Sequence, residues 1–374
     1  VWEKKSGANG QVWQVPQWQL SLANADVQGQ WRGQWQQDPR GDGPGWLDLQ
    51  GTIAQADAAA AHRYLPVQLP ESVRHYVQDA LVKGRYVGVK TKLKGDLAKW
   101  PFESPSDGEF RVSGRLTGVQ FDMVPAHLLP ATGPRWPHLH SLQGQLSFDR
   151  TGVQLSDASA RFGESKNAVL LKAAAVEIAD MRHDPQLQLT ADGTGEAAQF
   201  LAAVQQSPLD QMLSQALHNT TATGPVQLRL KLGLPLRHLK DSQVQGTVVL
   251  AGNDVRVTPA TPWLEKVHGA VEFNQTGFKV SKAKAQLLGG AVIMDAGLQP
   301  SSTPGAPPPL AFEVEGQISA EGLRGSKDLY PLNVLAQHLT GSSTYKARLA
   351  WHQGQPELSV HSALQGLAIQ WPTP

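Results

Sequence analysis

Apolar and polar residues alternate with a period of two along most of the chain, the spacing that sends successive side chains of an extended strand to opposite faces of a sheet. Val87, Val89, Thr91 and Leu93 interleave with Lys90, Lys92 and Lys94, and Val226, Leu228, Leu230, Leu232 and Leu234 interleave with Gln227, Arg229 and Lys231. The pattern returns in Phe312, Val314 and Ile318, in Tyr345, Ala347, Leu349 and Trp351, and in Leu358 and Val360. Strands of this kind keep one face dry and the other wet, which is the habit of antiparallel sheets, and an all-parallel α/β fold is disfavoured.

The pattern also repeats on a longer scale, which implies stacked modules rather than a single closed core. Strand-like runs LDLQGTIAQAD (47–57), LQLTADGTGEA (187–197) and FEVEGQISAEG (312–322) each lead towards a proline followed by apolar residues at helical spacing. After Pro70 these are Val73, Tyr76, Val77, Ala80 and Leu81; after Pro208, Leu209, Met212, Leu213, Ala216 and Leu217; after Pro331, Leu332, Leu335, Ala336 and Leu339. That spacing predicts an amphipathic helix in each copy, with Gly84, Gly224 and Gly341 as the stops before a long strand resumes.

A second element recurs at a constant offset in LQGQLSFDRTGVQLSDASARF (142–162) and VHGAVEFNQTGFKVSKAKAQL (267–287). The Thr-Gly pairs at 151–152 and 276–277 predict hairpin turns. Beyond each turn the apolar phase slips by one residue, from Val153 and Leu155 to Ala158, Ala160 and Phe162, and from Phe278 and Val280 to Ala283, Ala285 and Leu287. A β-bulge near Ser156 and Ser281 accounts for the slip and bends the sheet. The expected fold is therefore mainly β, an elongated, curled antiparallel sheet with one or two short amphipathic helices per repeat. Residues 1–45 form the end of a preceding repeat, 46–186 and 187–311 are repeats, and 312–374 is a truncated one. SSTPGAPPP (301–309) reads as a loop between strands.

Composition narrows the function. Thirty-six Gly and 26 Pro suit a chain full of turns, and 33 basic against 32 acidic residues argue against a polyanion-binding protein. No cysteine is present, which removes disulfide scaffolds, thiolate metal sites and cysteine nucleophiles. No run of about 18 apolar residues is present to span a bilayer. The start at Val1, without methionine or leader, and the stop after a strand-like run read as a piece of a longer protein whose membrane anchor lies outside it.

Enzyme chemistry is not expected: no nucleophile elbow, phosphate loop, dinucleotide fingerprint or isolated carboxylate pair stands out, so no catalytic residue, metal or cofactor is assigned. His138 and His140 lack a third ligand at a telling spacing and read as a solvated loop. Lys83, Arg85, Lys90, Lys92, Lys94 and Lys99 form a basic cluster that reads as a wet strand face, with anionic headgroups or an acidic partner as the functional alternative. Nucleic acid is not an expected partner, since interleaved exposed aromatics are missing. Trp2, Trp13, Trp18, Trp31, Trp35 and Trp46 crowd one end of the chain and read as sheet packing or as the lining of a channel for a long apolar ligand.

A bent sheet with one apolar face must hide that face, and short helices are too little to cover it. Acyl chains in a groove satisfy it. The apolar strand phase names the lining: Val87, Val89, Leu93, Leu146, Phe148, Val153, Leu155, Leu228, Leu230, Leu232, Val248, Leu250, Phe273, Phe278, Val280, Leu349 and Trp351. A structural β-repeat without lipid transfer is the rival reading, and a carbohydrate-active cleft with Trp31, Trp35 and paired carboxylates is a more distant one.

HRYLP (62–66), the helix after it, WPF (100–102) and PWLEKVHGAVEF (262–273) resemble the AsmA-like proteins, over residues 15–374. The resemblance implies an inner-membrane anchor ahead of this segment, a body in the periplasm of a Gram-negative bacterium, and a curled β-groove that carries phospholipid acyl chains towards the outer membrane. It also implies an outer-membrane or envelope protein as a further partner.

Overall fold

The structure is a computed structural model and describes residues 2–7, 10–40, 43–67, 69–129, 135–163, 168–207, 210, 217–298, 310–326, 329–352 and 355–370. The expected helix after Pro208 and the loop at 301–309 fall outside these residues, as does the side chain of Trp351. The chain is mainly β, antiparallel, with a few short helices, and divides into two compact units.

The first unit holds residues 1–166, 170–191 and 231–242. Its meander runs through β1 (Glu3–Gly7), β2 (Gly10–Ala23), β3 (Val27–Gln36), β4 (Trp46–Asp57), β5 (Leu81–Asp96), β6 (Gly108–Phe121), β7 (Leu139–Asp149) and β8 (Gly152–Phe162), each antiparallel to the strand before it. β9 (Val169–Ile178) follows. β10 (Gln186–Glu196), β11 (Thr221–Ala222) and β12 (Pro225–Pro235) come next, and β10 and β12 give residues to both units. In the second unit β13 (Gln243–Arg256), β14 (Leu264–Asn274), β15 (Gly277–Leu287), β16 (Gly290–Leu298), β17 (Leu310–Ser319), β18 (Leu339–His352) and β19 (Gln355–His361) form a second antiparallel meander. β20 (Leu367–Ile369) pairs with the start of β18.

Among the described residues the α-helices lie in connections between strands. α1 (Glu71–Ala80) follows Pro70 and turns Tyr76 inward, where its hydroxyl donates to Met123 O at 3.0 Å. It stops at Ala80, and Gly84 sits inside β5 instead of ending the helix. There φ is +126° and a Cβ would come within 2.5 Å of Val119 Cα, so close approach of β6, not a helix stop, demands glycine. Gly224 and Gly341, at φ +85° and +91°, likewise lie against Asn253 and Gly366 and cap no helix. Further α-helices among the described residues are α2 (Ala197–Gln205), α3 (Ala320–Gly325) and α4 (Leu332–Leu335). α2 starts straight from β10, held by a reciprocal cap between Glu196 and Gln199, and α3 cuts the expected strand off at Ser319, whose hydroxyl accepts from Gly322 N at 3.0 Å.

The expected bulges are present one residue on, at Asp157 (φ 49°) and Lys282 (φ 50°), where the β8 and β15 registers shift. They are not isolated. Gly88, Gly118 and Ser141 in β5, β6 and β7, and Lys266 in β14, adopt the same left-handed conformation at register shifts of their own. Each extra residue restores the apolar phase to the same face and adds local twist, so a file of bulges crosses neighbouring strands in each unit. The hairpins close one residue before the Thr-Gly pairs, since Asp149 pairs with Gly152 and Asn274 with Gly277.

Candidate functional site

Register makes the apolar face explicit. In the first unit one row runs Leu20, Trp31, Gly51, Thr91, Val112, Phe148, Val153 across β2 to β8. A second row runs Trp18, Gly33, Leu49, Leu93, Phe110 and a third Trp35, Leu47, Gly95, Gly108. Leu146 and Leu155 pair beside the first row, and Val89 packs against Gly114. In the second unit a row runs Val248, Val271, Val280, Ala296, Phe312, Leu349, Leu358. Phe273 and Phe278 pair next to it, and Leu250 lies opposite Gly269. Leu228 and Leu230 follow buried Val226 along the second-unit half of β12, with Leu228 beside Gly193, while Leu232 lies on its first-unit half.

Val87 departs from this set. The bulge at Gly88 puts it opposite Arg115 and Gln55, on the polar side, and brings Tyr86 onto the apolar face against Leu116. Of the lining residues expected from the strand phase, Val89 and Val280 are buried and the others with described side chains are half-buried.

Glycines shape the floor of this face. A Cβ at Gly51 would come within 2.3 Å of the Trp31 ring, one at Gly33 within 2.9 Å of Trp18, and one at Gly246 within 2.2 Å of the Phe273 ring. These rings lie over glycines on the next strand and occupy the space a side chain there would take. Where β2, β3 and β4 meet, Trp2, Val15, Trp18, Trp35 and Leu47 line a concavity of about 470 Å³ that presents no charged side chain. Trp2 stands edge-on to Trp13 and Trp35, at centroid distances of 6.5 and 5.8 Å.

Parts of the face are already covered. Phe102, from the WPF segment, is fully buried and seated on the Gly95–Gly108 pair, within 2.7 Å of where a Gly95 Cβ would stand. In the second unit Phe200 and Leu201 of α2, with Val248, Leu250 and Val255 of β13, pack against buried Ala197, Ala222 and Val226. The outermost strand β19 leaves Leu358 and Val360 61% and 57% exposed on the same face.

The polar face carries the basic cluster. Lys92 Nζ lies 2.8 Å from Asp48 Oδ1 and Lys94 Nζ 3.7 Å from Asp48 Oδ2. Arg111, cross-strand from Lys92, meets Asp149 at 2.7 Å, and that carboxylate raises the guanidinium above its ordinary value. Lys99 pairs with Asp107. His138 is held 2.5 Å from Asp122, with the His140 ring 5.9 Å away. Among the described residues no group of three or more metal-ligating side chains occurs, and no helix is long and apolar enough to cross a membrane.

An antiparallel sheet with one apolar face, a file of bulges across its strands and helices in the strand connections fits an AsmA-like β-groove module. The family model described as YhdP protein matches residues 2–374, and the chain belongs to the YhdP family. No curated protein and no solved structure matches it. Membership suggests a protein of the Gram-negative envelope with a role related to lipid transport.

Proposed function

We propose that this chain is a lipid-transport module of the periplasm, which shields phospholipid acyl chains on the apolar faces of its units as they pass between the inner and outer membranes. The observation that carries this reading is the row of half-buried apolar side chains on one face of each unit, joined in the first unit by a tryptophan-walled concavity. Each methylene withheld from water is worth about 0.8 kcal/mol, so a chain of roughly sixteen carbons crossing water bare faces a barrier on the order of 10 kcal/mol. An apolar strip lowers that barrier along its length and needs no catalytic group, metal or cofactor. On this reading the inner membrane is reached through an anchor outside the segment, and an envelope protein receives the lipid.

The test is native mass spectrometry of protein purified without detergent from a Gram-negative host, followed by organic extraction. Phospholipid should accompany the protein and fall roughly tenfold when Trp18 and Leu47 are both changed to Gln with circular dichroism unchanged. A folded protein free of lipid that also rejects a fluorescent acyl probe would leave the structural β-repeat as the better reading.

A further inference from the structure

One strand pattern occurs three times in the chain and is covered by a neighbour on its far edge only twice. β6, β13 and the stretch through β19 and β20 each carry Leu-x-Gly, at Leu116 to Gly118, Leu250 to Gly252 and Leu364 to Gly366. Each of these glycines takes a left-handed φ, +60°, +100° and +92°. Each stretch also lies against a glycine in or next to the preceding strand: a Cβ at Gly84 would meet Val119, one at Gly224 would meet Asn253, and one at Gly341 would meet the Gly366 carbonyl. β19 and β20 together are therefore the third copy of one strand, interrupted around Leu364.

In the first two copies β7 and β14 cover the far edge with the same side chains in the same register. Phe148 lies opposite Val112 and Phe273 opposite Gly246, each four residues before the leucine. Gly144 and Gly269 lie opposite Leu116 and Leu250 themselves. Leu142 and Val267 then face Val119 and Asn253, and Leu139 and Leu264 face Phe121 and Val255. So covered, Leu116 is 8% exposed. Among the described residues β19 and β20 pair with β18 alone, and Leu358, Val360, Leu364 and Ile369 are 57–63% exposed. Unpaired backbone beside bare aliphatic side chains is a template for another strand.

We infer that this edge is the docking site of one more antiparallel strand, with the pattern Leu-x-x-[Leu/Val]-x-Gly-x-[Leu/Val]-x-Phe that β7 and β14 share, supplied by a further copy of the repeat in the same protein. Register follows from the two completed copies: the phenylalanine faces Val360, the glycine faces Leu364 and the first leucine faces Ile369. A second copy of this chain has no such strand to lend, because β7 and β14 are paired along both edges and β1 reads EKKSG. The inference stands apart from the lipid reading and is tested without lipid cargo.

The probe is a synthetic peptide with the sequence of β7, LHSLQGQLSFD, added to the unaltered chain. Hydrogen exchange of the β19 and β20 amides should slow about tenfold or more at saturating peptide, with β1 unchanged. Val360→Lys with Leu364→Lys, at positions exposed enough to spare the fold, should weaken binding roughly tenfold with circular dichroism unchanged. A peptide carrying Leu146→Lys and Phe148→Lys should fail in the same way. Exchange in β19 and β20 that the peptide leaves unchanged, or that a scrambled peptide slows equally, overturns the assignment. A concentration-dependent dimer in sedimentation, lost in Val360→Lys with Leu364→Lys, also overturns it and makes the edge a contact between copies. Protection of the same amides by phosphatidylglycerol vesicles but not by the peptide overturns it in favour of a lipid surface.

Discussion

Trp31 on β3 donates its indole Nε1–H to the Thr91 hydroxyl on β5, 3.1 Å away, and so spans the intervening strand at Gly51. Tyr86 repeats the device from β5: its ring lies against Gly114 and its hydroxyl donates to Leu146 O on β7 at 2.9 Å. Tyr345 on β18 is cross-strand from Gly316 in the second unit, but its buried hydroxyl has no partner among the described residues. At Gly51 and Gly114 glycine in a strand interior is thus explained by a neighbour's ring, which offsets the packing a side chain would have given.

Gly51→Ala should therefore destabilise the first unit by about 1–3 kcal/mol, since the new methyl competes with the Trp31 ring and with Gln30 O. Urea unfolding measures this, and a Trp31→Ala background should return part of the loss. An unchanged midpoint in Gly51→Ala would mean that the ring does not lie across β4 in solution.

The two tyrosines should respond with opposite signs to removal of the hydroxyl. Tyr86→Phe loses a made hydrogen bond and strands Leu146 O, costing about 1 kcal/mol. Tyr345→Phe removes a buried hydroxyl without a partner and should be neutral or stabilising by about 1 kcal/mol. Chemical denaturation of both variants side by side gives the comparison.

Alkali should unfold the protein through the same residues. Burial raises the phenols of Tyr76, Tyr86 and Tyr345, the last to about 12. In the unfolded chain they ionise near pH 10, so the folded state holds protons that the unfolded state has released, and stability falls as pH rises from about 10 to 12. Below about pH 9 these groups contribute no slope. Urea unfolding at about pH 8, 10 and 11 should show the decline, shallower in Tyr345→Phe.

Much of the fold is legible because strand phase is local. The slip between Leu155 and Ala158 announces a bulge from sequence alone, and the left-handed residue is Asp157. At Gly88 the same slip is hidden, because Val87 and Val89 look like one phase although the bulge turns them to opposite faces. α2 escapes notice because no proline precedes it, yet Glu196 and Gln199 stand at capping-box spacing. Gly84 is misread as a helix stop because its reason, Val119, lies on another strand. The tie between Arg63 and Asp26 is invisible for the same cause: it spans 37 residues, and no local pattern encodes that pairing.

Phe102→Ala tests how far the WPF segment holds the first unit together. The ring is fully buried on paired glycines that give it no side-chain neighbours to collapse into the space, so the substitution should cost about 3–5 kcal/mol. Hydrogen exchange should rise in β5 and β6 around Gly95 and Gly108 before it rises elsewhere. A loss below about 1 kcal/mol would show that the segment lifts off the sheet readily.

The bulges of the second unit carry their own supports. Lys282 N donates to Asp295 Oδ1 at 3.1 Å and Lys266 N to Asp254 Oδ1 at 3.0 Å, each time a left-handed residue held by a carboxylate from the neighbouring strand. The ladder cannot satisfy an amide at a bulge, so the side chain does. Asp295→Ala should cost about 1–2 kcal/mol, and Asp295→Asn, which keeps an oxygen acceptor, should recover most of it. Lys282→Gly should stabilise by about 1 kcal/mol, because glycine takes φ near 50° without the penalty that a side chain meets there. If Asp295→Ala and Asp295→Asn unfold at the same urea concentration, charge rather than the hydrogen bond to Lys282 is what Asp295 supplies. The contrast between them therefore separates a backbone support from a surface ion pair, for which the two variants would fare alike.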